Sequence, residues 1–184
     1  MNETVVINAY IVISIIIAVT DILLAVKSFK KNKTTGRFLG FACVGAAIVD
    51  ISYLISIISD SYMCMAAMSS IYFISIDFML VSLLIFTVYF TKGKFSEYGK
   101  WMVTFCFLYC IYELIVFAVN PFMEIAIEYK PRDTLIAKYS YQMKPLYELH
   151  LIFSYVMVLL VVGLLIRKIC KIPHEYRWQY LSVI

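Results

Sequence analysis

The chain has 184 residues, 63% of them hydrophobic and 15% charged, with a net charge of +4 and a mean hydropathy of +0.88. A water-soluble domain is about half apolar and about a quarter charged, so these values exclude one and describe an integral membrane protein. The positive charge lies in short stretches beside apolar runs, which is the placement of membrane topology and not of a nucleic-acid surface.

Crossing ~30 Å of hydrocarbon takes about 20 helical residues. Five segments meet that length, at about 4–26, 38–58, 66–90, 101–119 and 149–168. The expected fold is therefore an all-α integral membrane bundle of five transmembrane helices, forming one domain over residues 1–184. The first segment follows Glu3 instead of a basic region and shows no small-residue cleavage site, so it reads as a true span and not a signal peptide. Asp21 lies near its inner end, where it can reach toward water. The next loop, 27–37, carries Lys27, Lys30, Lys31, Lys33 and Arg37.

The second, third and fourth spans each hold one carboxylate and no base: Asp50, Asp77 and Glu113. The loop 91–100 between the third and fourth carries Lys92, Lys94 and Lys100. After the fourth span comes the one long connection, 120–148, punctuated by Pro121, Pro131 and Pro145. Its stretches 123–129 and 134–143 are rich in Ile, Tyr and Leu on either side of a turn-like Lys130-Pro131-Arg132-Asp133, which predicts a short hairpin or cap outside the membrane. His150 opens the fifth span, next to Glu148 and near Tyr147 and Tyr155. The tail then supplies Arg167, Lys168, Lys171 and Arg177.

Twelve of the sixteen basic residues thus fall on one side: the two short loops and the tail. The positive-inside rule puts that side in the cytoplasm, with the N-terminus outside and the C-terminus inside. The plasma membrane is the expected location.

A carboxylate at membrane depth needs a proton, a hydrogen-bond partner or a counter-charge. At a rise of ~1.5 Å per residue, Asp50, Asp77 and Glu113 each lie about 11–12 residues from a span end, so all three share a layer near mid-membrane. They could line a ligand pocket, with His150 at its outer mouth. They could equally be capped by nearby hydroxyls, of which Ser52, Tyr53, Ser75, Ser82, Tyr109 and Tyr112 are at hand. Asp50, Asp77, Glu113 and His150 are the candidate ligand-binding residues. Cys43, Cys64, Cys106, Cys110 and Cys170 form no metal-binding spacing, so neither a metal nor another cofactor is expected. There is no Ser/His/Asp arrangement, glycine-rich phosphate loop or HExxH, so the chain is not expected to be an enzyme. A small transporter or channel subunit is the alternative reading. The spans show no continuous line of charge and the chain no internal repeat, both of which count against it.

Three stretches carry a resemblance. They are SSIYFISIDFMLVSLLIFTVYFTKGKF at 69–95, the pair Asn120-Pro121, and the run 141–180. That run contains Pro145-Leu146-Tyr147 with His150, Ser154 and Tyr155, and ends in an Ile-Pro-x-x-Tyr-Arg-x-Gln tail at 172–179. The chain resembles the N-terminal seven-transmembrane region of bacterial sensor histidine kinases and diguanylate cyclases. The SIDF form at Ser75 to Phe78 is most similar to versions fused to GGDEF domains. The resemblance implies a sensory input module that relays an extracellular or intramembrane signal to a cytoplasmic GGDEF or kinase domain absent from this chain. The implied partners are the bilayer, a small-molecule or membrane signal and that output domain. Nucleic acid is not among them, and the oligomeric state stays open, a homodimer included. The family has seven spans, so five imply an incomplete module, with residues 178–184 resembling the entry to a sixth.

Overall fold

The computed structural model describes residues 3–31, 33–132 and 138–171. The tail motif at 172–179 and the expected sixth-span entry at 178–184 lie outside the described residues, as does part of the 130–133 turn. Five helices and one hairpin follow in order: α1 (Glu3–Lys30), α2 (Thr34–Ile58), α3 (Tyr62–Lys92), α4 (Glu97–Met123), β1 (Ile127–Pro131), β2 (Tyr139–Met143) and α5 (Pro145–Cys170). All five helices are long and apolar enough to cross a membrane.

The helices run longer than the apolar runs that announced them, and α3 and α4 carry side-chain caps at their polar starts. Ser61 accepts a hydrogen bond from Cys64 N at the start of α3, and Ser96 accepts one from Gly99 N at the start of α4. Gly93 closes α3 in the left-handed conformation (φ 75°), which glycine adopts without strain. Pro145 occupies the first turn of α5, where its missing N–H leaves no bond unmade. Pro121, expected to punctuate the loop, instead sits in the last turn of α4, and the helix stops at Glu124 with φ 49°. The long connection therefore shrinks from 120–148 to the residues between Met123 and Pro145.

Within it, β1 and β2 pair antiparallel, with Ile127 opposite Met143 and Tyr129 opposite Tyr141. The strand alternation turns Ile127 and Tyr129 inward, where both are buried, while Glu128 and Lys130 stay toward water. The hairpin is thus a cap over the helix ends, tied to the α2–α3 turn by the Lys138–Asp60 ion pair.

α3 is the centre of the bundle, packing against α2, α4 and α5. Its seam with α2 is set by small residues. The buried residues of α2 are all small (Gly36, Gly40, Ala42, Gly45, Ala47, Ser52 and Ser56): Gly36 and Gly40 meet Ser28 and Phe29 of α1, whereas Gly45 meets Met79 of α3. A Cβ on Gly45 would lie 2.9 Å from Met79 Cβ and 3.1 Å from its Cα, so the two backbones approach as closely as glycine permits. α1 packs on α2 and leaves most of its length exposed, with Ile13, Ile16 and Leu23 all more than half exposed. In lipid such a surface is at no disadvantage.

Candidate functional site

Each helix of the α3–α4–α5 group sends one ionisable side chain to a common point. Asp77, Glu113 and His150 are 1%, 1% and 2% exposed. His150 Nδ1 lies 3.1 Å from Glu113 Oε2 and 3.5 Å from Asp77 Oδ1. Phe73, Phe117 and Tyr147 surround the imidazole, with ring centroids 5.4, 5.1 and 6.0 Å away. Tyr109 and Cys110 of α4 stand beside the same acids. The sequence has no Lys or Arg from 38 to 91, from 101 to 129 or from 145 to 166, so His150 is the basic group built into this layer. One imidazole cannot balance two carboxylates. The arrangement can share protons among its members or hold a cation.

Asp50 is not part of this cluster. Its carboxyl is within hydrogen-bonding reach of Asp21, across the α1–α2 seam. It faces a shallow, mostly apolar groove lined by Ser14, Ala18 and Ile22 of α1. The shared layer expected for Asp50, Asp77 and Glu113 therefore divides into two separate sites. Asp21, expected at the cytoplasmic edge, belongs with Asp50. α1 continues to Lys30, which leaves Asp21 about 14 Å from the helix end. A carboxyl–carboxyl hydrogen bond requires one proton between the two groups.

Ser52, one of the hydroxyl caps expected for the acids, points elsewhere. Its Oγ donates to Ile48 O of its own helix at 2.6 Å, a back-bond that satisfies the hydroxyl without the carboxylate.

Above the triad, toward the hairpin, lies a cavity of about 430 Å³. Tyr53, Tyr72, Tyr129, Tyr139, Tyr141 and Tyr147 line it, with Arg132 and the hydroxyls of Ser56, Ser69 and Ser140. Phe73 and Tyr147 belong to both places: they wall the cavity and touch His150. Burial pushes the Tyr129 hydroxyl up to about 12, so it stays protonated and can donate. Ser69 and Asn120 are the polar side chains beside it, at a geometry short of a full hydrogen bond.

The hairpin that roofs this cavity is held by Asn120, fully buried at the end of α4. Its Oδ1 accepts from Ala126 N at 2.8 Å and Ile127 N at 3.0 Å, and its Nδ2 donates to Ile127 O at 3.2 Å. Tyr62 Oη donates to Glu124 Oε1 at 2.5 Å, and Lys144 Nζ to Glu124 O at 2.6 Å. Sequence reasoning singled out the Asn120-Pro121 pair but not this clamp. A buried amide ahead of a short β-prone run was the signal available.

The family model for the N-terminal 7TM region of histidine kinase matches residues 10–184. The chain belongs to that family. It is accordingly a multi-pass membrane protein of the histidine-kinase sensory context, and the bilayer is its surroundings. The family's description counts seven spans, of which the described residues supply five. Comparison with curated proteins and with solved structures gives no match.

Proposed function

We propose that the chain is the sensory input module of a bacterial signal-transduction protein, and that its signal enters at the tyrosine-lined cavity under the hairpin. The cavity carries this reading. Its volume lies within the ~300–1,000 Å³ of small-molecule sites, and its wall includes a buried phenol, Tyr129, beside the Ser69 hydroxyl. Six tyrosines, three serines and an arginine suit a small molecule with an apolar body, hydrogen-bonding groups and one anionic group. Phe73 and Tyr147 of its wall touch His150, behind which Asp77 and Glu113 lie, so occupancy of the cavity acts on the packing of α3, α4 and α5 through these two side chains. Asp50 has no part in the site on this reading.

The relay runs to the cytoplasm, where a kinase or GGDEF domain acts, and the chain itself catalyses nothing. The orientation rests on charge. The hairpin, the α2–α3 turn and the start of α1 share the outer side, opposite the basic turns and the Arg167–Lys168 end of α5. A membrane-impermeant maleimide should label the exposed Cys170 only from the cytoplasmic side.

Signalling is tested by filling the cavity. Ser69→Trp in the native protein, with phosphotransfer or cyclic dinucleotide production measured in cells, should fix the output in one state. An output that responds as in the wild type would sink the cavity as the input site.

A further inference from the structure

The triad has more lone pairs than partners. Both oxygens of Asp77 and Oε1 of Glu113 are buried without a hydrogen bond of good geometry, although His150 and the Tyr109 hydroxyl stand beside them. A purely structural hydrogen-bond network would use these atoms, since buried polar groups in folded proteins are nearly always paired. The 3.5 Å separation of His150 Nδ1 from Asp77 Oδ1 is long for a hydrogen bond, whose usual N–H···O range ends near ~3.2 Å.

The spacing suits a different bond. Ligand atoms held ~2.1 Å from a tetrahedral ion stand about 3.4 Å from each other. The two edges at His150 Nδ1 are 3.1 and 3.5 Å, and one donor atom from each of the three residues falls within 4.8 Å of the others. Charge agrees with geometry. Two carboxylates in a layer without Lys or Arg carry −2, which a divalent cation cancels, leaving a neutral imidazole as third ligand. Three residues from three helices also leave a fourth position open.

We propose that Asp77, Glu113 and His150 bind one first-row transition dication of the zinc class, fastening α3, α4 and α5 to one another. One imidazole nitrogen and two carboxylate oxygens select against a thiolate-preferring ion and against the all-oxygen sites of Ca²⁺ or Mg²⁺. His150 Nδ1, Asp77 Oδ1 and Glu113 Oε2 are the ligand atoms. The cavity lies on the other side of Phe73 and Tyr147, whose rings contact His150. The inference stands apart from the signalling reading, because metal binding is measured on the chain without any output.

The test uses the full chain in lipid nanodiscs, stripped with chelator, loaded with Zn²⁺ or Co²⁺ and freed of unbound ion. Elemental analysis should give one ion per chain. The Co²⁺ form should show the visible absorption of a four-coordinate site. X-ray absorption of the Zn²⁺ form should show nitrogen and oxygen neighbours without sulfur. Asp77→Asn with Glu113→Gln should abolish loading, and so should His150→Gln, while Asp50→Asn keeps it. A wild-type chain that retains no ion overturns the proposal. So does a sulfur-dominated shell, or loading undiminished in the double variant. The wild-type measurements decide even if a variant fails to fold.

Discussion

Asp21 with Asp50, and Asp77 with Glu113 and His150, are both groups of acids at membrane depth, yet they are built on opposite principles. The first pair lies on α1 and α2, half-buried beside a groove, and needs nothing but one proton to be stable. The second set is almost completely buried, includes a base, and leaves three oxygen atoms short of a good hydrogen bond. The difference follows from the helices. α1 touches α2 alone among its stronger contacts, so its acid looks across one seam toward lipid or water. α3 is packed on three sides, so an acid on it must be answered by residues from α4 and α5. An acid of the first kind can be replaced at little loss, whereas one of the second kind holds three helices in register.

The largest effect should come from breaking the buried set. His150→Leu leaves Asp77 and Glu113 facing each other with no base, and removing one partner of a buried charged group costs about 3–5 kcal/mol. Thermal unfolding in nanodiscs, followed by tryptophan fluorescence, should show a lower midpoint than for Asn120→Ala, Gly45→Leu or Asp50→Asn. A midpoint equal to that of the wild type would mean that the cluster is held by something other than its own charges.

Next is the clamp above it. Asn120→Ala strands the N–H groups of Ala126 and Ile127 in a buried position, at on the order of 2–4 kcal/mol together. The loss should be local. Amide exchange should speed up in 125–131 and 139–143 while α1 and α2 keep their protection. Faster exchange throughout the bundle would show that the hairpin and the helices unfold as one unit, and the contrast between the two regions would weaken.

The seam between the regions tests whether they are coupled. Gly45→Leu drives a side chain into Met79, whose Cβ already lies 2.9 Å from where a first carbon would stand. Overpacking of this kind costs about 1–3 kcal/mol. The strain falls on α3 two residues after Asp77. The expected result is a lower unfolding midpoint together with altered loading of the triad. A lower midpoint with unaltered loading would make α1–α2 an independent appendage.

The five spans were legible in the sequence because each is an unbroken apolar run, and the hairpin because β-prone stretches flank a turn. Their bounds were not, since Thr34, Tyr62, Glu97 and Pro145 begin helices with residues that hydropathy alone assigns to loops. The acids were equally visible, but their grouping was not. These helices are apolar on every face, so no polar side marks which way Asp50 or Asp77 turns. What decides it is that α2 has small residues on two faces, Gly36 and Gly40 toward α1 and Gly45 toward α3, with Asp50 turned to the α1 side and Asp21. His150 was placed at the mouth because it opens the apolar run. α5 begins a full turn earlier, at Pro145, and so carries His150 down to the level of Asp77 and Glu113.

The smallest effect is the sharpest check on the comparison. Asp50→Asn keeps a hydrogen-bonding side chain of the same shape and removes the need for a shared proton, so the half-buried pair with Asp21 should survive. The change should be about 1 kcal/mol or less, of either sign. Asp77→Asn is the same chemical change at a site with no slack, and its two poorly bonded oxygens become one oxygen and one unpaired amide. If the two substitutions lower the unfolding midpoint equally, burial and packing on three sides do not distinguish the acids, and the division between the α1–α2 pair and the α3–α4–α5 triad fails.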